Sequence, residues 1–119
     1  MAGRLTTHVL DTANGRPAAG VEVELWRLVT EPDEWELIVT VTTNADGRTD
    51  EPLLAADAFV AGTYELFFAA GDYFNGQPGV SSPPFLGRVP IRFTIADSSH
   101  DYHVPLLVSP WAYSTYRGS

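Results

Sequence analysis

Three histidines, His8, His100 and His103, are the side chains of this 119-residue chain whose ordinary pKa lies close to neutrality. They are the natural candidates for moving a proton at physiological pH. There is no cysteine, and all seven basic residues are arginine (4, 16, 27, 48, 88, 92 and 117). Thiolate nucleophiles, disulfides and Schiff-base lysines are therefore excluded. What remains is imidazole, carboxylate, hydroxyl and water, with planar guanidinium forks suited to carboxylate or imide-like groups. His100-x-x-His103 is a poor metal pair, because residues three apart on a strand point to opposite faces and no third His or Cys lies nearby. No metal site is expected. No Gly-x-Ser-x-Gly elbow and no phosphate-cradling glycine loop with its lysine is present. Trp26, Trp35 and Trp111 read as core or interface residues.

These groups must be held by strands. Segments of about five to nine residues rich in β-branched and aromatic side chains recur between Gly, Pro, Asn and Asp punctuation, the pattern of an all-β sandwich. Arg88 to Ile95 is the clearest: Val89, Ile91, Phe93 and Ile95 alternate with Arg88, Pro90, Arg92 and Thr94. Pro90 cannot donate a ladder hydrogen bond, which points to an edge strand or an irregularity. Similar runs are Leu5–Leu10, Val21–Val29, Trp35–Thr43, Thr63–Ala69, Tyr102–Val108 and Ala112–Arg117, with a short strand possible near Thr49–Leu54. Leu54–Ala61 and Gly71–Gln77 each have room for a helical turn but not for an independent helix. Gln77–Phe85 is a loop, and Asp46-Gly47 is the best turn signal.

Strand alternation aims the histidines. His8 shares a face with Thr6 and Leu10, opposite Leu5, Thr7 and Val9; His103 lies opposite Tyr102, Val104 and Leu106. Both rings should point away from the core, where two histidines could line a groove, although a strand histidine taken alone is more often a solvated or hydrogen-bonded residue than a catalytic one. His100, in Ser98-Ser99-His100-Asp101, belongs to an exposed turn. The segment Ser109 to Ser119 is aromatic and strand-like to its last residue, which suggests that Tyr116-Arg117-Gly118-Ser119 is positioned in a site.

The formal charge of −8 argues against nucleic acid or a membrane surface as partner. The composition, 45% hydrophobic and 18% charged, is that of one globular domain over residues 1–119. No apolar run approaches the roughly 20 residues of a membrane helix, and Met1-Ala2-Gly3-Arg4 leads into strand without a signal-like apolar stretch. A cytoplasmic location is the expectation.

Leu5-Thr6-Thr7-His8-Val9-Leu10-Asp11, Asp46-Gly47-Arg48, Tyr102-His103-Val104-Pro105-Leu106-Leu107-Val108-Ser109-Pro110 and the closing Tyr116-Arg117-Gly118-Ser119 resemble the transthyretin-related family, specifically its 5-hydroxyisourate hydrolases. Pro17-Ala18-Ala19-Gly20-Val21 and Gly62-Thr63-Tyr64-Glu65 extend the likeness over essentially the whole chain. The resemblance implies a transthyretin-like, prealbumin-like two-sheet β-sandwich of about seven or eight strands with one short helix. It implies a homotetramer, a dimer of dimers with active sites in the channel between dimers, that hydrolyses 5-hydroxyisourate in urate degradation without a cofactor. The residues so implicated are His8, Arg48, His103 and Ser119 in catalysis, with His8, Arg48, Tyr116 and Arg117 holding the substrate. The family commonly carries His-Tyr-His before Val-Pro-Leu-Leu, where this chain has Asp101-Tyr102-His103. The competing implication is a non-catalytic carrier or binding module on the same sandwich. Retention of His8, Arg48, His103 and the terminal motif together separates the two.

Overall fold

The computed structural model describes residues 3–119. Ten strands form: β1 (Leu5–Thr6), β2 (Val9–Asp11), β3 (Arg16–Pro17), β4 (Glu22–Thr30), β5 (Glu34–Thr42), β6 (Gly62–Phe68), β7 (Val89–Ile95), β8 (Tyr102–His103), β9 (Leu106–Val108) and β10 (Tyr113–Ser114). A single 3-10 turn (Ala56–Ala58) and one short helix, α1 (Ala70–Phe74), complete the elements. One sheet runs β5-β4-β6-β7, all antiparallel; the other runs β10-β9-β2-β3, and the pair β1-β8 continues it.

The strand count exceeds the expected seven or eight because two long strands are each cut in two and Arg16–Pro17 adds a short strand that the sequence did not announce. Leu5–Leu10 and Tyr102–Val108 do lie side by side in parallel, with Leu5 opposite Tyr102 and Val9 opposite Leu106. Between those pairs Pro105 has no N–H to give, and the Thr7 hydroxyl bonds the Val104 carbonyl at 2.7 Å. Hydrogen bonds from Val104 N–H to Thr6 O and from Leu106 N–H to His8 O, both 2.9 Å, keep the ribbon continuous across the gap. The possible strand at Thr49–Leu54 does not form; this stretch makes only single bridges, Leu54 with Leu5 and Arg48 with His8. The closing strand is shorter than Ala112–Arg117, covering Tyr113–Ser114. Pro90 does lie on an edge strand, since β7 pairs only with β6.

The two sheets close on each other through their alternate residues. Leu5, Val9, Leu106 and Val108 from one side meet Val23, Leu25, Leu66, Phe68 and Ile95 from the other, all at 0–1% exposure. Each such side chain contributes roughly 1.5–3 kcal/mol of burial, so the ribbon that carries both site histidines is anchored by its core face. Helix α1 buries Phe74, and its Gly71 lies so close to Leu86 and Gly87 that a Cβ would meet the Leu86 carbonyl at 2.7 Å.

A second anchor holds the far end of β2. Asp11, 1% exposed, accepts hydrogen bonds from the Ala13 and Asn14 N–H groups, the Asn14 amide and the Tyr73 hydroxyl, at 2.7–3.0 Å. Burial alone would push this carboxyl up, but the hydrogen bonds outweigh it and hold Asp11 below the ordinary carboxylate range.

Candidate active site

The outward face of the β1/β8 ribbon carries His103. Its Nδ1 lies 2.9 Å from the hydroxyl of Thr6, its register partner on β1. No described residue hydrogen-bonds its Nε2. The chain terminus is laced to the other side of β8: Gly118 N–H donates to His103 O at 2.7 Å, and Thr115 bonds the Pro105 carbonyl through its hydroxyl at 2.7 Å. A Cβ on Gly118 would sit 3.0 Å from both Cβ and Cδ2 of His103, so the backbone lies against the imidazole and glycine is what fits.

Arg48 arrives on a tight turn. Asn44 accepts the N–H groups of Asp46 and Arg48 through its side-chain oxygen, at 2.9 and 3.2 Å, and Gly47 takes a positive φ of 74°. Gly47 presses on β2, where a Cβ would meet the Val9 carbonyl at 2.4 Å, and its own carbonyl accepts the Val9 N–H at 2.8 Å. Arg48 is thereby bridged to His8. The ring of His8 is tied to the same turn, with Nε2 2.9 Å from the Asp46 carbonyl. A carbonyl can only accept, so this nitrogen carries the proton and His8 is a donor there.

Arg48 and His103 line a cavity of about 520 Å³ with Arg4, Thr6, Asp50, Glu51 and Ser119. Among the described residues no carboxylate pairs with Arg48. His103 is held below the usual histidine range, first by burial, then by the neighbouring Arg48 guanidinium and the nearby His8. At neutral pH its imidazole is uncharged and has a lone pair to offer, facing a guanidinium that can meet negative charge. That combination suits hydrolysis of a polar, planar carbonyl compound.

Arg48, His103 and Ser119 thus line one cavity, and His8 stands beside it, bridged to Arg48 rather than among the lining residues. Tyr116 and Arg117 stand apart, bordering a more apolar cavity of about 320 Å³ with Ile91, Phe93, Tyr102 and Val104. Arg117 donates to the Asp101 carbonyl at 3.2 Å, and its guanidinium lies 4.3 Å from the Tyr102 ring centre. His100 is exposed on its turn, 3.4 Å from the Asp97 carboxylate. Sequence reasoning did not single out Thr6, Arg4 or the Asp46 carbonyl. Thr6 shares a strand face with His8, which was readable, but its meeting with His103 depends on a parallel pairing between residues 97 positions apart.

The HIUase/Transthyretin family model matches residues 5–118. The chain belongs to this family. Among its relatives, 5-hydroxyisourate hydrolase 2 of Rhizobium meliloti is 60% identical, over 99% of this chain and 98% of that protein. The 5-hydroxyisourate hydrolase of Deinococcus radiodurans is 54% identical, over 97% and 95%. Among solved structures of the family, Klebsiella pneumoniae 5-hydroxyisourate hydrolase aligns with a TM-score of 0.79 at 37% identity, covering 98% of this chain and 99% of that one. Sea bream transthyretin in complex with thyroxine aligns at 0.84 with 28% identity, covering 97% and 94%. An (S)-allantoin synthase aligns at 0.90 with 46% identity, covering 99% of this chain but 44% of that longer one. The fold is therefore transthyretin-like, and the family is that of the 5-hydroxyisourate hydrolases.

Proposed function

We propose that this chain hydrolyses 5-hydroxyisourate to 2-oxo-4-hydroxy-4-carboxy-5-ureidoimidazoline in urate degradation. The observation that carries the reading is that His103, with no described hydrogen-bond partner on Nε2, lines one polar cavity with Ser119 and an Arg48 that pairs with no described carboxylate. Family membership and the 60% identity to a 5-hydroxyisourate hydrolase support it. His103 serves as general base: its free nitrogen takes a proton from water as the oxygen attacks the ring carbonyl. Arg48 faces the oxyanion that develops on that carbonyl. The C–N bond then breaks, the imidazolium of His103 returns the proton to the departing nitrogen, and a carboxylate is left. His8 is assigned to substrate binding: its Nε2–H is committed to the Asp46 carbonyl, which fixes the ring beside the turn that carries Arg48. Ser119 contributes hydrogen bonds within the cavity. No step needs a cofactor, since water adds across the C–N bond without any change of oxidation state.

The working unit in this reading is a cytoplasmic homotetramer, a dimer of dimers. The edge strands β7 and β10 are each unpaired on one side in the single chain, as are β5 and β3, and Trp111, Tyr113 and Tyr116 are 60%, 43% and 56% exposed in and around β10. A neighbouring copy would cover these and exclude water from an otherwise open cavity. Tyr116 and Arg117 are assigned to substrate binding where subunits meet. Light scattering at assay concentration should give four times the 13.0 kDa of the chain; a fully active monomer would refute an interfacial site.

Carriage of a small molecule is the second reading, favoured by the likeness to a transthyretin in complex with thyroxine. The polar lining of the His103 cavity speaks for hydrolysis. Fresh 5-hydroxyisourate, made from urate by a urate oxidase, should lose its ultraviolet absorbance faster with the protein present. Decay at the spontaneous rate with folded protein would leave the carrier.

A further inference from the structure

We infer that Thr6 is a positioning residue for His103, holding its imidazole with the proton on Nδ1 so that Nε2 is the bare nitrogen in the cavity. The inference rests on the assignment of His103 as base. Oγ1 of Thr6 lies 2.9 Å from Nδ1, and this is the only hydrogen bond found for either group's side chain among the described residues. Thr6 is half-buried and itself lines the cavity.

A hydroxyl can donate or accept, so the contact by itself permits either tautomer. Chemistry chooses. With the proton on Nδ1, Thr6 accepts, and its own hydroxyl proton is free to turn to the cavity. When Nε2 then takes a proton from water, the ring becomes an imidazolium and the same Nδ1–H···Oγ1 bond persists, now charge-assisted and stronger. The interaction is thus stronger after proton transfer than before it, which is the condition for raising turnover rather than substrate affinity. In the other tautomer Nε2 already bears a proton and cannot act as base until the ring has been rearranged. Free histidine in water favours the Nε2–H form, so the protein must supply the bias, and Thr6 is the group in place to do so.

Gly118 completes the hold. Its bare Cα side lies against Cδ2 of the ring, and its backbone bridges that of His103, so the imidazole is confined between the Thr6 hydroxyl and the terminal backbone. Two opposed contacts leave the ring little freedom to flip.

The test is histidine tautomer assignment by ¹⁵N NMR on the intact protein, with turnover measured alongside. Wild type should show His103 as Nδ1–H with a bare Nε2. Thr6→Val should shift it toward Nε2–H and lower kcat about tenfold, the equivalent of about 1.4 kcal/mol, with KM nearly unchanged. Thr6→Ser should restore both readouts. An Nε2–H tautomer in the wild type overturns the inference without any variant. So does a Thr6→Val protein that keeps both its tautomer and its kcat. Absence of 5-hydroxyisourate turnover in the wild type would instead defeat the proposed function, while the NMR assignment would still decide the role of Thr6.

Discussion

Two regions of the molecule gather arginine beside rings, and they differ in whether the charge is answered. On the outer face of the β5-β4-β6-β7 sheet, Arg88 pairs with Glu24 and lies 4.4 Å from the Phe67 ring centre; Arg92 pairs with Glu65 at 3.5 Å and lies 4.8 Å from the Trp35 ring centre. Every cation there has a carboxylate and an aromatic face. Across the molecule, Arg48 has neither among the described residues, and it shares its cavity with a histidine held below its usual pKa. A surface arginine that is fully answered adds at most about 1 kcal/mol to stability. One left unanswered beside a base is available to a substrate. The lesson is that neither arginine-rich surface nor a missing counter-charge alone marks a site; an arginine without a carboxylate partner that shares a polar cavity with an imidazole does.

That contrast can be broken or sharpened by substitution. After loss of His103 itself, the largest effect should come from Arg48→Ala, lowering kcat/KM by roughly 10²–10³ with the thermal midpoint almost unmoved. Arg48→Lys should recover little, because a point charge does not replace a fork. Next comes the terminus: Gly118→Ala places a methyl 3.0 Å from the His103 ring and should reduce turnover about tenfold, as should deletion of Gly118-Ser119, which removes almost no core. Full activity of the truncated chain would show that the terminus lies outside the site.

The pH profile gives a smaller but signed effect. Because the folded environment disfavours the protonated form of His103, the active neutral form persists below the ordinary histidine pKa near 6.5. The acid limb of kcat/KM should therefore have its midpoint below about 6.5, with activity lost as pH falls through it. A midpoint above that value would contradict the environment described. Asp11 adds a separate acid sensitivity in stability. Its folded pKa lies below the ordinary 3.8, so its contribution is complete above 3.8 and is lost as pH falls through the lowered value. The smallest effect belongs to the answered face: Arg88→Ala, at a position outside both cavities, should leave kcat/KM unchanged and alter stability by no more than about 1 kcal/mol in chemical denaturation.

Much of this arrangement was legible in the residues. Period-two alternation turned His8 and His103 outward, Pro90 marked an edge, and Asp46-Gly47 marked the turn that delivers Arg48. The family likeness assigned the terminal motif, and the structure supplies its physical reason, a glycine pressed against an imidazole. What sequence could not show depends on pairing at long range. The breaks at Thr7 and Pro105 appear only once the two strands are known to lie together, and so does the Thr6–His103 contact. The Asp11 anchor joins a turn to Tyr73 on helix α1, 62 positions away, and nothing local to either segment announces the partner. Tyr116 and Arg117 stand in the neighbouring cavity because the terminal chain bends around β8, a path that strand alternation does not describe.

The account stands most directly on the decay of 5-hydroxyisourate absorbance, followed with wild type and with His103→Ala at equal concentration and confirmed folding. Acceleration by the wild type, and a loss of roughly 10²–10⁴ of it in the variant, is the predicted result. Equal rates for the two proteins would contradict the claim that the uncharged imidazole beside Arg48 is where the chemistry occurs.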